Sequence, residues 1–333
     1  LETPFSKSIS TTEKCKRLRN VVGSDDTLAI LINADPDSMA SAMALKRFFW
    51  RKVKRVDIVR VNKIMRADNL AFVRLLSLKQ QHIQNFKSTH VSKWALVDSQ
   101  PNHHEAFKKF HFDIIIDHHP VSDNLQAAFI DIQTDYGANA TILTEYLKAS
   151  KIKPSPSLAT ALFYGIKNDT NSFVRNTVSN DIKAFRYLYE YANLNIIKKI
   201  ESSEMTKKNL SSFKKAIDSL SFVKRTAVIH MGTVDDAAIL VIMADFFMKM
   251  AEATGSIVSG IFDQKLIVIF RNAGFRRDAG KLATEMFGEV GSAGGHKSMA
   301  RAEIPLEQIK SNTRKETDLK QYVLNRLKRA GRK

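Results

Sequence analysis

The sequence predicts an α/β protein, with an open, mainly parallel sheet in a first domain and a smaller α/β domain after it. Short β-branched apolar runs alternate with amphipathic helical stretches at crossover spacing, the arrangement that joins parallel strands. The 333 residues suit two domains at roughly 100–200 residues each. A hydrophobic share of 44% is enough for real cores and excludes a disordered chain.

Taken in order, residues 1–25 are polar and basic and predict an N-terminal arm, either loose or a first helix. The first domain, 26–192, opens with 27–33 (TLAILIN), apolar throughout as a buried parallel strand must be. Residues 38–53 (SMASAMALKRFFWRKV) place Ala, Met, Leu and Phe on one side and Lys/Arg on the other, a helical pattern. Residues 56–61 alternate like a strand, and 67–78 are helical. Strands follow at 94–98 (WALVD), 113–116 (DIII) and 127–132, with a short helix at 103–110. From Gly137 the pattern is mostly helical: GANATILTEYL, a break at KPSPS, then SLATALFYGI. Gly137, Asn139 and Thr141 read as a helix cap. Residues 193–220 are lysine-rich and predict a helical linker. The second domain, 221–311, has a strand at 226–231, a long helix at 235–254, and a hairpin (257–262, 266–270) turning at Asp263, Gln264 and Lys265. A helix at 278–287 and the Gly-rich GEVGSAGGH follow, and 312–333 reads as a basic, solvated tail.

Lys+Arg outnumber Asp+Glu by 52 to 34, so the net charge of +18 favours a polyanionic partner, most simply nucleic acid or nucleotides. A single cysteine, Cys15, excludes an internal disulfide framework and a CxxC zinc site. The longest apolar run, 237–244, is far short of the ~20 residues a membrane helix needs. No charged–apolar–small pattern opens the chain, so a cytoplasmic protein with no membrane partner is expected.

Acidic residues gather where strands end. Residues 27–33 run into Asp35-Pro36-Asp37, WALVD ends at Asp98, and DIII runs into Asp117-His118-His119; ATALFYGI runs into Asn168-Asp169-Thr170. Open α/β sheets bind ligands beyond the carboxyl ends of their strands. Several carboxylates at one edge raise one another's pKa unless a cation neutralises them, and an Asp-rich set with some imidazole suits Mn²⁺ or Mg²⁺ better than zinc.

ADPDSMAS, ALVDSQ, IIIDHHP, GANATI and LFYGIKNDTNSF, in that order, resemble the successive motifs of the DHH phosphoesterase superfamily. GGHKSMARA resembles the Gly-Gly-His signature of the DHH-associated C-terminal domain. The resemblance implies a DHH domain followed by a smaller substrate-binding domain, with the active site in the interdomain cleft. It implies two metal ions, usually manganese: Asp35 and Asp98 for the first; Asp37, Asp98, His118 and Asp169 for the second. Asp98 would bridge them, His119 would meet the substrate phosphate, and Asp117 would orient the histidine pair. Two such ions, about 3.5–4 Å apart, activate a water and stabilise a phosphoryl transition state. One position departs from the pattern. Where the family has a His four residues before the first Asp, this chain has Leu31, which offers no ligand atom.

In the second domain, Arg271, Gly294, Gly295 and His296 correspond to positions that grip nucleotide in similar proteins, and Lys297 and Ser298 are candidate further phosphate contacts; the small-residue loop would let backbone N–H groups approach phosphate. The particular resemblance is to nano-RNases and 3′-phosphoadenosine 5′-phosphate phosphatases. The expected function is hydrolysis of short oligoribonucleotides to mononucleotides, with a short RNA or dinucleotide as partner and a homodimer allowed. The alternatives are a cyclic or linear dinucleotide phosphodiesterase, a polyphosphatase, and, because of Leu31, a catalytically weak nucleotide-binding regulator.

Overall fold

The computed structural model describes residues 9–175, 177–203, 207, 209–273, 278–309 and 316–330. The chain forms two compact units, Leu1–Glu204 and Met205–Lys333.

The first unit contains α1 (Thr11–Asn20), β1 (Thr27–Ile32), α2 (Pro36–Phe48), β2 (Arg55–Arg60), α3 (Ala67–Leu75), β3 (Gln81–His82), β4 (Lys93–Val97), β5 (Ile114–Asp117), β6 (Phe129–Ile132), α4 (Asn139–Ala149), α5 (Pro156–Asp169), α6 (Ser179–Tyr189) and α7 (Leu194–Glu201). Its sheet is parallel throughout, in the order β3-β2-β1-β4-β5-β6. β1 is buried along its whole length, as an apolar strand between two layers must be. Ile30 and Val97 face the core under α2, α4 and α5, while Leu31, Leu96 and Ile115 face a second apolar layer with Phe107 and Phe112. Alternation along the strands divides the sheet between these two cores.

The second unit contains α8 (Asn209–Asp218), β7 (Ser221–Val223), β8 (Thr226–Thr233), α9 (Ala238–Phe247), β9 (Gly255–Phe262), β10 (Lys265–Asn272), α10 (Ala279–Phe287), β11 (Ser292–Gly295), β12 (Met299–Pro305) and α11 (Glu316–Ala330). Its sheet runs β11-β12-β10-β9-β8-β7, with β8 and β9 parallel and the other pairs antiparallel. The β9–β10 turn places Asp263 and Gln264 at φ 47° and 58°, the doubly left-handed backbone that favours a tight hairpin.

Several elements differ from the sequence reading. The first helix is docked: Cys15 and Leu18 are buried, and Lys14 Nζ lies 2.7 Å from the fully buried Asp131; residues 1–8 of the expected arm lie outside the described residues. Residues 103–110 hold only a single 3₁₀ turn, at Phe107–Lys109. The expected linker is divided: Ile197 and Ile200 of α7 pack in the first unit's core, and Ala216 of α8 packs in the second's. α9 is half the predicted length, ending at Phe247. The basic tail contains a packed helix, α11, whose Leu319, Val323 and Leu327 are buried against α10 and the sheet. Spacings of four place those three on one stripe while the Lys and Arg face water. Residues 312–315 and 331–333 of that tail lie outside the described residues.

Candidate metal centre

The strand order reverses between β1, which continues to β2 on one side, and β4, its neighbour on the other. That switch point opens a crevice at the strands' carboxyl ends. The chain after β1 is pinned by Asn62, whose Oδ1 accepts from Ala34 N–H (2.7 Å) and whose Nδ2 donates to Ala34 O (3.0 Å). Asp35 then caps α2: its Oδ1 accepts from Ser38 N–H at 2.9 Å, and Asp35 N–H donates to Ser38 Oγ at 3.0 Å. Asp37, fully buried, takes the backbone N–H of Asn139 (2.6 Å) and Ala140 (2.8 Å) on its two oxygens. The cap of α4 therefore comes from α2, rather than from the Gly137–Asn139–Thr141 group read in the sequence. A carboxylate is well placed there, among unpaired N–H groups at the positive end of a helix dipole.

Asp98 directly follows β4 in the left-handed backbone region, at φ 58°, and is 9% exposed. β5 ends in Asp117 and presents His118 and His119 beyond it. Asp169 ends α5.

His118 decides what this edge can hold. Its Nδ1 lies 3.0 Å from Tyr136 O, and a carbonyl only accepts, so Nδ1 carries a proton. In the neutral ring that leaves a lone pair on Nε2, which points at carboxylate oxygens: Asp169 Oδ2 at 3.2 Å and Asp98 Oδ1 at 3.4 Å. His118 Nε2 and Asp98 Oδ1 are both buried without a hydrogen-bond partner. Lone pairs facing one another need a cation or a second proton between them. Burial alone would lower the His118 pKa, but the carboxylates of Asp169 and Asp98 hold it well above the usual histidine range. Burial first, then Asp37 and Asp35, push Asp98 well above the carboxylate range. Burial and Asp169 do the same to Asp37 and raise Asp35 to about 6. These are the strains a divalent ion relieves.

The donors fit such an ion. Asp37, His118 and Asp169 bring one ligand atom each within 4.8 Å of one another, and so do Asp98, His118 and His119. Asp35 joins neither set among the described residues. Leu31 is fully buried in the apolar layer with Val59, Leu96 and Ile115.

His119 is held differently from His118. Its Nδ1 lies 2.8 Å from Asp117 Oδ1, and Asp117 Oδ2 accepts from Gln100 Nε2 at 2.6 Å. Burial pushes Asp117 upward, but these donors outweigh it and leave its carboxyl below the usual range. Asp117 thus fixes His119 through its Nδ1, while Tyr136 O, not Asp117, fixes His118. The expected orienting of the histidine pair applies to one ring only. His103 packs edge-on to His119, ring centroids 5.5 Å apart.

In the second unit, Arg271 is engaged: Nε donates to Asp245 Oδ1 at 2.6 Å and Nη1 to Phe270 O at 3.3 Å. Gly294 and Gly295 lie on an edge strand rather than a loop, paired with Arg301 and Ala300. Gly295 is required by close approach, because a Cβ there would stand 2.4 Å from Met299 O. His296 N–H already donates to Met299 O (2.7 Å), and the carbonyls of His296 and Lys297 take the first N–H groups of α10. The His296 backbone N–H expected for phosphate is thus satisfied internally, leaving the exposed side chains of His296 and Lys297; Ser298 is half-buried.

Sequence reading missed three supports. Gln100 holds Asp117, Tyr136 O sets the His118 tautomer, and Asp181 bonds Gly137 N–H and Thr141 Oγ1. Gln100 lies within ALVDSQ and was legible as a neighbour of Asp98; a backbone carbonyl carries no residue signature.

An open parallel sheet carries, at its switch point, a carboxylate–histidine cluster whose atoms could hold a metal ion. Residues 28–166 match the DHH family, N-terminal domain. The uncharacterized protein MJ1633 of Methanocaldococcus jannaschii is 35% identical over 286 residues, 86% of this chain; the chain spans 59% of that protein's length. An exopolyphosphatase-related protein from Bacteroides fragilis has the same fold, with a TM-score of 0.74, 13% identity and coverage of 98% of this chain and all of that one. RecJ from Thermus thermophilus, in complex with Mn²⁺, aligns at a TM-score of 0.56 and 10% identity, covering 95% of this chain and 55% of RecJ. Among the described residues, no helix is long and apolar enough to cross a membrane.

Proposed function

We propose that the chain is a metal-dependent phosphoesterase that hydrolyses short oligoribonucleotides and dinucleotides to mononucleotides, with 3′-phosphoadenosine 5′-phosphate as a further substrate. The carrying observation is the buried, unpartnered pair Asp98 Oδ1 and His118 Nε2, facing each other at 3.4 Å beside Asp169. Asp37, Asp98, His118 and Asp169 would hold a divalent ion, for which the Mn²⁺ in the RecJ structure and the oxygen-rich donor set favour manganese, with magnesium as substitute. When bound, such an ion supplies a water of lowered pKa and neutralises phosphoryl charge.

The chain's own residues do the rest. Tyr136 O keeps the His118 proton on Nδ1, so Nε2 stays a ligand. Asp117 keeps the Nδ1 proton of His119 aimed at itself; a second proton on Nε2 would then make His119 a donor to a phosphoryl or leaving oxygen. The basic charge of the chain gathers a polyanion towards this acidic edge.

A second reading rests on Leu31 and Asp35. With Leu31 in an apolar layer and Asp35 outside the ligand sets, one ion binds firmly and the chain acts as a weak catalyst that binds nucleotide. Incubation of the Mn²⁺-loaded protein with 5′-labelled dinucleotide separates the two, run beside inorganic polyphosphate and a cyclic dinucleotide. Mononucleotide release that Asp98→Ala abolishes is the expected result. Tight nucleotide binding with no turnover of any short RNA would sink the enzyme reading.

A further inference from the structure

The first unit carries a cavity of about 640 Å³ away from the carboxylate–histidine edge. It lies at the other end of the two helices that build that edge. α2 carries Asp37 near its start and Met43, Lys46 and Arg47 of the cavity wall towards its end, so Lys46 is about 14 Å of helix from Asp37. α5 begins beside the cavity with Ser155 and Leu158 and ends at Asp169, about 16 Å further on.

The wall divides by chemistry. Met43, Ile58, Leu78 and Leu158 make an apolar floor, and Lys46, Arg47, Lys79 and Lys153 stand around it. Among the described residues, no carboxylate lines the cavity. Asp57, whose charge acts on Lys46, is itself bonded by Arg55 (2.8 Å) and faced by His90 (3.4 Å). Trp50 lies at the rim, 56% exposed, with the guanidinium groups of Arg47 and Arg51 over its ring at 4.5 and 4.6 Å. The cavity's volume lies within the ~300–1,000 Å³ range of small-molecule sites. Four cations grouped without an acid are repulsive until an anion joins them, and an apolar floor is costly until a hydrophobic body covers it. One ligand class answers both: a flat apolar ring system bearing phosphate. Flat rings also suit the exposed indole and guanidinium planes.

We propose that this cavity is a second ligand site of the chain, which binds a nucleoside phosphate with its base on the Met43–Leu158 floor and its phosphate among Lys46, Lys79 and Lys153. An anionic membrane surface would use the same cations and leave the apolar floor empty. The site is independent of the phosphoesterase reading, because it needs neither metal nor turnover.

Trp50 reports on it. The only other tryptophan is Trp94, so the full chain with Trp94→Phe has Trp50 as its single indole. Titrating ADP and AMP into this variant with EDTA present, so that no metal-held phosphate contributes, is expected to change Trp50 emission saturably. Lys46→Glu with Lys153→Glu is expected to weaken that response by about tenfold or more, with Lys79→Glu alone as a milder check and circular dichroism confirming the fold. His118→Ala is expected to leave it intact. The proposal is overturned if ADP and AMP leave the emission unchanged, if the response disappears in His118→Ala and survives in the lysine pair, or if only anionic phospholipid vesicles elicit it.

Discussion

His118 and His119 are neighbours in sequence with different work, and the difference lies in which atom takes the Nδ1 proton. The Tyr136 carbonyl takes it in His118 and leaves Nε2 among Asp98 and Asp169; the Asp117 carboxylate takes it in His119. Orienting partners of this kind typically contribute 10–100-fold in affinity or activity. Asp117→Asn is therefore expected to lower kcat about 10–100-fold while Mn²⁺ affinity, read by isothermal titration, changes little. A matching loss of Mn²⁺ binding would place Asp117 among the ligands instead. His118→Ala is expected to abolish Mn²⁺ binding at the Asp37–Asp169 set, and activity with it. The motif IIIDHHP made all three residues visible as a group; their separate roles were not, because a backbone carbonyl and the far amide of Gln100 set them.

At the scale of elements, the site depends on how closely α2 and α5 approach. Gly165 permits that approach: a Cβ there would stand 3.2 Å from Asp37 Oδ1 and 3.3 Å from both Asp37 Cα and Ala40 Cβ. Gly165→Ala is expected to cost about 1–3 kcal/mol in urea denaturation, as overpacking does, and to weaken Mn²⁺ binding through the displaced Asp37. A silent substitution would mean that the helices can separate freely. In the second unit, α11 turns a nominal tail into core. Leu319→Ala is expected to destabilise that unit by about 2–5 kcal/mol in thermal denaturation, whereas a solvated tail would tolerate it. The stripe of Leu319, Val323 and Leu327 was present in the sequence, but the Lys and Arg around it dominated the composition.

For the molecule as a whole, charge is divided by sign. A chain of +18 encloses a cluster of carboxylates whose ionisation the fold resists without a cation. Asp35 shows the direction. Its carboxyl titrates near 6 when folded and near ~3.9 when unfolded. Between those values the native state keeps a proton that the unfolded chain has released, so its contribution to stability falls as pH rises through about 4 to 6 and levels off above. The metal-free protein is expected to lose melting temperature over that window relative to Asp35→Asn, and Mn²⁺ is expected to shrink the difference. An Asp35→Asn profile parallel to the parent in EDTA would show that Asp35 is not strained.

The sequence by itself determined the alternating strands and helices, the two-sided burial of β1, and which acidic and imidazole groups stand at strand and helix ends, because periodicity and residue type are local properties of the chain. Tertiary structure alone decided how those groups are used. Asp37 caps α4 from another helix, Arg271 is engaged by Asp245, the Gly-Gly-His backbone pairs within its own sheet, and Asp35 falls outside the ligand sets. Each depends on contacts between segments far apart in sequence, where hydrogen-bond geometry of about 3 Å separates a ligand from a spectator.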